Sequence, residues 1–145
     1  MEKSRLSKIL VEGSCELISQ LAKEVEETNS IHIERSPTTG LVMMKTRDTV
    51  SKQPFYMGEV LVTECVVEVD GMYGIGVMMG EEPTRALQMA IIDAAFNAKL
   101  STIHTWIPLL EEEEQKIMRR HEKELAMVSS SRVNFDTMED YNAKS

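Results

Sequence analysis

This chain has little of what most function classes need. It contains only two cysteines, Cys15 and Cys65, far apart in sequence, so no disulfide framework is implied and both thiols are expected to be reduced. No apolar run is long enough to span a bilayer, and no secretory h-region or lipidation signal is present; a soluble, cytoplasmic protein without membrane contact is expected. Basic residues are outnumbered, 16 Lys and Arg against 24 Asp and Glu, and a net charge of −8 argues against direct nucleic-acid binding. Aromatics are few, at 5%, whereas Met is abundant at eleven residues, and flexible thioethers are common in adaptable cores and at contact surfaces.

The usual catalytic constellations are also missing. His32, His104 and His121 fall in a predicted strand, a link and a helix, with no spacing to each other or to the cysteines that reads as a zinc site. There is no G-x-S-x-G elbow, no Walker lysine loop and no dinucleotide glycine pattern. Gly71, Gly74, Gly76 and Gly80 sit in a hairpin, the wrong context for a phosphate cradle at a helix start. No metal or cofactor is expected to be held by this chain.

What is present is a strong pattern of elements. At 145 residues the chain makes one domain, long enough to bury about 68% of its unfolded surface. Its strongest signal is Phe55 to Gly80, two apolar strands joined at Asp70-Gly71. A two-residue turn would pair Val67 with Gly74 and split the apolar side chains between two faces. A three-residue turn over Val69, Asp70 and Gly71 instead gathers Leu61, Thr63, Cys65 and Val67 with Tyr73, Ile75, Val77 and Met79 on one expected core face. Gly74 and Gly76 then lie two apart on the opposite face, where another backbone or helix could approach closely, or where a twisted, solvent-facing strand tolerates glycine.

Before the hairpin, Leu6, Ile9 and Leu10 make a short helical stripe up to Gly13. Ser14 is placed to cap a second helix bearing Leu17, Ile18, Leu21 and Val25, which Thr28-Asn29-Ser30 ends. Ser30 to Ser36 and Leu41 to Asp48 read as two strands turned by Pro37 to Gly40. After the hairpin, Pro83 to Lys99 is a helix with two apolar stripes, one built on Leu87, Ala90, Ile91, Ala94 and Ala98 and one on Met89, Ile92 and Phe96. Asp93 lies between them, either hydrogen-bonded to a neighbouring segment or catalytic. Ser101 to Trp106 reads as a link, and Pro108 as opening a long helix to about Val128. Glu111 to Glu114 in its first turn and Lys116, Arg119, Arg120, His121 and Lys123 after them suit the macrodipole, so the acidic run is read as structural.

The expected fold is therefore α+β, a four-stranded antiparallel sheet flanked by N-terminal and C-terminal helices. Residues 1–128 make a single domain and 129–145 an extended C-terminal arm, where Arg132, Val133, Phe135 and Met138 provide alternating anchors for a partner.

The run Thr39-Gly40-Leu41-Val42, then Phe55 to Thr63, Asp70-Gly71 with Gly74, Arg85-Ala86 to Ile91-Ile92-Asp93-Ala94, and Ser131 to Met138 resembles the PhnG subunit of the bacterial carbon-phosphorus lyase system. The resemblance covers most of the chain from Pro37 to Met138 and rests on the order and spacing of these motifs together. It implies a subunit of alpha-D-ribose 1-methylphosphonate 5-triphosphate synthase working with PhnH, PhnI and PhnL and joining PhnJ in a core complex. Such a complex attaches methylphosphonate to the ribose of a purine nucleoside triphosphate, displacing the base; an iron-sulfur subunit cleaves the carbon-phosphorus bond in a later step. This chain would then be part of a transferase while shaping a site or holding partners together. On that reading Arg132, Asn134, Thr137, Gly74 and Gly76 are substrate or partner contacts, and Val133, Phe135 and Met138 are interface anchors. Arg132 has a guanidinium suited to a partner carboxylate or a substrate phosphate, of which we favour the carboxylate. Asn134 stands where the family has an acidic residue, so no proton transfer is expected there. Two other readings fit the residues: a stand-alone enzyme using Asp93, Glu59 or His104 on a small phosphorylated substrate, and an interaction module unrelated to phosphonates.

Overall fold

The computed structural model describes the backbone at residues 1–47 and 54–144 and the side chains at 1–43 and 58–129. In order it contains α1 (Lys3–Glu12), α2 (Cys15–Thr28), β1 (Ile31–Arg47), β2 (Pro54–Val69), β3 (Met72–Met79), α3 (Pro83–Asn97) and α4 (Ile103–Lys144). Three strands form one antiparallel sheet in the order β1-β2-β3.

Among the described residues there is no fourth strand, because Pro37 to Gly40 does not turn the chain. Ile31–Arg47 is a single 17-residue strand that absorbs these residues through register shifts between Ile33 and Arg35 and between Arg35 and Thr38. β1 is an edge strand, and an edge tolerates a proline that has no N–H to donate, especially beside a bulge.

The hairpin register also differs from expectation. Val69 pairs with Met72, Val67 with Gly74 and Val66 with Ile75, leaving a two-residue turn at Asp70 (φ 50°) and Gly71 (φ 78°). Two successive positive φ values match the right-handed strand twist, which is why Asp-Gly is favoured there. Asn29 at the end of α2 donates from Nδ2 to the Asp70 carboxylate at 3.3 Å. This register puts Thr63, Cys65, Val67 and Val69 on the inner face with Gly74, Gly76 and Met78. Tyr73, Ile75, Val77 and Met79 are left on the outer face.

Small size rather than apolarity selects the inner face of β3. α3 lays Ala86, Ala90 and Ala94 directly on the two glycines; a Cβ on Gly76 would collide with the Ala86 carbonyl oxygen and come within 2.8 Å of Ala90 N. At Gly74 it would collide with Ala90 O and Ala94 N. The close approach expected at these glycines is thus made by the chain's own helix. On the other side of α3, Ile91, Ile92 and Met89 join Ile18, Leu21 and Val25 of α2 in one buried cluster, with Leu6, Ile9 and Leu10 of α1.

α4 starts at Ile103, ahead of the predicted start at Pro108, which lies inside it. The reason is Trp106, fully buried within the supposed link, its ring centroid 6.1 Å from that of Phe96. Its indole Nε1 donates to Glu24 Oε2 of α2 at 2.7 Å, which satisfies the buried N–H. Between the helices, Leu100 N–H bonds Ala95 O at 3.3 Å and Lys99 N–H bonds Phe96 O at 3.2 Å, with Lys99 at φ 54°. This is a Schellman cap with lysine where glycine is usual. The backbone of α4 then continues helically through Ser129-Ser130-Ser131 to Lys144, in place of the expected extended arm over 129–145. Serine is only a modest helix former, but no Gly or Pro follows to stop the turn.

Candidate functional site

The most enclosed polar side chains each hold a backbone group. Thr63 is fully buried; its hydroxyl donates to Gly80 O at 2.6 Å and accepts from Glu82 N–H at 3.0 Å, clamping the turn from β3 into α3. Asp93 Oδ2 accepts the Ile75 N–H at 3.0 Å, and Lys3 Nζ stands 3.4 Å from Oδ1. One turn further along α3, Asn97 Nδ2 donates to Tyr73 O at 2.7 Å. Together Asp93 and Asn97 occupy the free edge of β3 at Tyr73 and Ile75, where an unpaired strand would otherwise invite another. Asp93 is thus bonded to a neighbouring segment, one of the two roles the sequence left open.

A second polar network ties the helices. Glu113 reaches from α4 to accept the Ser14 N–H at 2.8 Å, so the N-terminus of α2 is capped by another helix, Ser14 making no side-chain cap of its own. Arg5 and Glu114 form a two-point pair, Nε to Oε2 at 3.1 Å and Nη2 to Oε1 at 2.6 Å. The hydrogen bond from Arg5 holds the Glu114 carboxyl below its ordinary range, and the same contact raises Arg5. Arg85 Nη2 donates to Leu10 O at 3.3 Å and Val11 O at 3.0 Å, and Arg120 Nη2 to Glu12 O at 3.0 Å, closing the carbonyl end of α1. The acidic run is in this way partly consumed by the fold.

The other residues singled out from the sequence are not brought together. His104 is exposed near the start of α4, on a cleft of about 370 Å3 that Met1, Phe96, Lys99, Leu100 and Ile107 also line. Glu59 is exposed on the projecting part of β2. His32 lies 3.3 Å from Glu34, and His121 Nε2 lies 3.3 Å from Glu12 Oε1. Among the described residues no group of three or more His, Cys, Asp or Glu is placed to hold a metal ion. Gly74 and Gly76 lie under α3 and are closed to any substrate or partner. The side chains of Arg132, Val133, Asn134, Phe135, Thr137 and Met138 lie outside the described residues, although their backbone belongs to α4.

Exposed apolar surface is the more prominent feature. After Ile117 the described part of α4 buries nothing further, and Met118, Leu125, Met127 and Val128 stand in solvent. Beyond Val62, β2 pairs with β1 alone, so the two run on as a two-stranded ribbon that exposes Leu41, Val42 and Met43. Such a ribbon is marginal in water by itself, and contiguous apolar surface marks contact sites. Sequence reasoning put Thr63 on the core face but missed its clamp on Gly80 and Glu82, and it missed the contacts of Trp106, Glu113 and Arg85; Asn97 carried a usable signal, its i+4 spacing from Asp93 on one helix face. Among the described residues no helix is long and apolar enough to cross a membrane.

Comparison with known proteins adds to this geometry. A family model described as phosphonate metabolism protein PhnG matches residues 1–139. A Rhizobium meliloti (strain 1021) protein, named alpha-D-ribose 1-methylphosphonate 5-triphosphate synthase subunit PhnG, is 33% identical over 110 residues, 72% of this chain and 67% of that protein.

Proposed function

The chain belongs to the PhnG family of phosphonate metabolism proteins, and from that premise we propose that it is a subunit of a ribose 1-methylphosphonate 5-triphosphate synthase. In this reaction an oxygen of methylphosphonate bonds to the anomeric carbon of a purine nucleoside triphosphate. The glycosidic C–N bond breaks, and its electron pair leaves with the base, which takes up a proton. The triphosphate stays on the ribose. The nucleotide is a substrate of the assembly, with no cofactor held by this chain, and the assembly is a cytoplasmic hetero-oligomer with PhnH-, PhnI-, PhnJ- and PhnL-type subunits.

The role of this chain is to hold and shape the assembly. The observation that carries this reading is α4, whose described buried residues, Ile103, Trp106, Leu110, Glu113 and Ile117, are followed by a described stretch to Ser129 in which none is buried. The helix beyond them contributes no described core contact yet displays Met118, Leu125 and Val128 along one side, the pattern of an apolar helix face laid into a partner's groove. Residues 129–145 extend this contact, with Val133, Phe135 and Met138 as anchors and Arg132 pairing with a partner carboxylate. The enclosed polar groups support the same role, since Thr63, Asp93, Arg85 and Glu113 are engaged with backbone.

Truncation before Ser131 tests this. The shortened chain retains every described buried residue and is expected to keep the wild-type circular dichroism and melting curve while failing to co-purify with the other subunits. Normal assembly of the truncated chain would exclude the C-terminal segment as the contact.

A further inference from the structure

The two-residue turn at Asp70-Gly71 has an unusual result for an antiparallel sheet with helices on one side. Such a sheet normally turns polar residues to solvent on its uncovered face. Here β3 presents Tyr73, Ile75, Val77 and Met79 outward at 53%, 54%, 39% and 70% exposure. Val66 and Val62 of β2 stand opposite Ile75 and Met79 on the same face, and the apolar strip runs on through Val60 and Val42 toward the ribbon. Helix α3 is fixed to the opposite face by Gly74 and Gly76. No described element covers the outer strip.

The charges on this face say what kind of surface complements it. Glu64 is paired across the strands with Val77, and Glu68 with Tyr73. The carboxylates of Glu68 and Glu34 raise the Tyr73 phenol above its ordinary value. The basic side chains near them are Arg35, in register with Val66, and His32, beside Glu34. A second copy of this chain is a poor occupant. Two-fold pairing of the strip with itself would bring Glu64 and Glu68 of both copies into one apolar contact, where like charges are costly.

We propose that the outer face of β2 and β3, centred on Ile75, Val77 and Met79, docks a different subunit of the synthase through an apolar surface whose Lys or Arg side chains meet Glu64 and Glu68. This rests on the subunit reading above and adds a second contact surface, on the sheet and separate from the distal part of α4. The apolar strip supplies the burial and the two carboxylates supply orientation and partner choice.

The test is co-expression of the tagged full-length chain with the other synthase subunits, with recovery of each measured at low and high salt. Ile75→Lys and Met79→Lys alter exposed positions at the centre and end of the strip, so one remains informative if the other disturbs the strand. Val11→Lys, an exposed apolar position on α1, is the control. Wild type and Val11→Lys are expected to recover the partners equally, and the strip variants to lose about tenfold or more. Glu64→Lys/Glu68→Lys is expected to weaken assembly and to reverse the loss seen as salt rises. Wild-type recovery with both strip variants, each folded by circular dichroism, would overturn the docking face and leave the subunit reading intact. A wild-type chain that recovers no partner would overturn both. A homodimer of the isolated chain broken by Ile75→Lys would overturn the choice of occupant.

Discussion

Substituting Gly76 by alanine isolates the contact on which the two-layer fold depends. The added Cβ collides with the Ala86 carbonyl oxygen and lies 2.8 Å from Ala90 N and 3.0 Å from Ala86 C, all backbone atoms of α3. No side chain can rotate away to make room. The first turns of α3 must retreat from β3 by roughly 1 Å, given that ordinary carbon contacts are near 3.5 Å. Retreat is resisted because the other side of α3 packs Ile91, Ile92 and Met89 into the cluster with α2. Overpacking a well-filled interface costs about 1–3 kcal/mol, and a clash confined to backbone belongs at the upper end, near 3 kcal/mol. For a domain of this size that is a fall in melting temperature of roughly 10 °C. Gly40→Ala is the matched control, since its Cβ would meet nothing within 4 Å. It should change stability by about 1 kcal/mol or less. Differential scanning calorimetry or urea unfolding followed by the single Trp106 reads both. Equal melting of the two variants would refute the account of β3 as a seat for α3.

Lys99→Gly should stabilise the domain by about 0.5–1 kcal/mol, because lysine at φ 54° closes the α3 cap at a steric cost that glycine does not incur; urea midpoints check it. Glu114→Gln should remove part of the acid sensitivity of folding. The Glu114 pKa is lowered in the folded state by its bond from Arg5, so the pair's contribution is complete above the ordinary carboxylate pKa and is lost as pH falls through the lowered folded value. Stability curves of wild type and variant should converge at low pH and separate toward neutrality, and parallel curves across that window would refute the pairing.

Elements with helical period were legible because their apolar residues recur in stripes three and four apart. The stripes Leu17, Ile18, Leu21, Val25 and Leu87, Ala90, Ile91, Ala94 placed α2 and α3 nearly to their ends. The strands were harder for a physical reason. Pro37 and Gly40 read as a turn in isolation, and only the edge position of β1, a property of the assembled sheet, lets a strand pass through them. Asp70-Gly71 marked the turn, but maximising apolar side chains on one face chose the wrong register. The true inner face of β3 is the one whose glycines admit a helix backbone, and Tyr73, Ile75, Val77 and Met79, expected in the core, are left apolar in solvent. The core role of Trp106 and the capping of Ser14 by Glu113 depend on contacts distant in sequence, which a linear pattern does not carry, and the cap at Lys99 is local but lacks the glycine that would have marked it. Of the candidate site, Asp93 was legible as a partner for a neighbouring segment, whereas Gly74 and Gly76 proved to be internal packing positions.

The most direct test of the central claim is purine base release. The other synthase subunits would be purified together with and without this chain and given a purine nucleoside triphosphate and methylphosphonate, with free base followed by chromatography. Release that requires this chain, and that returns when the purified chain is added back, is the predicted result. Base release at the same rate in its absence, with the chain purifying alone, would contradict its role as a synthase subunit.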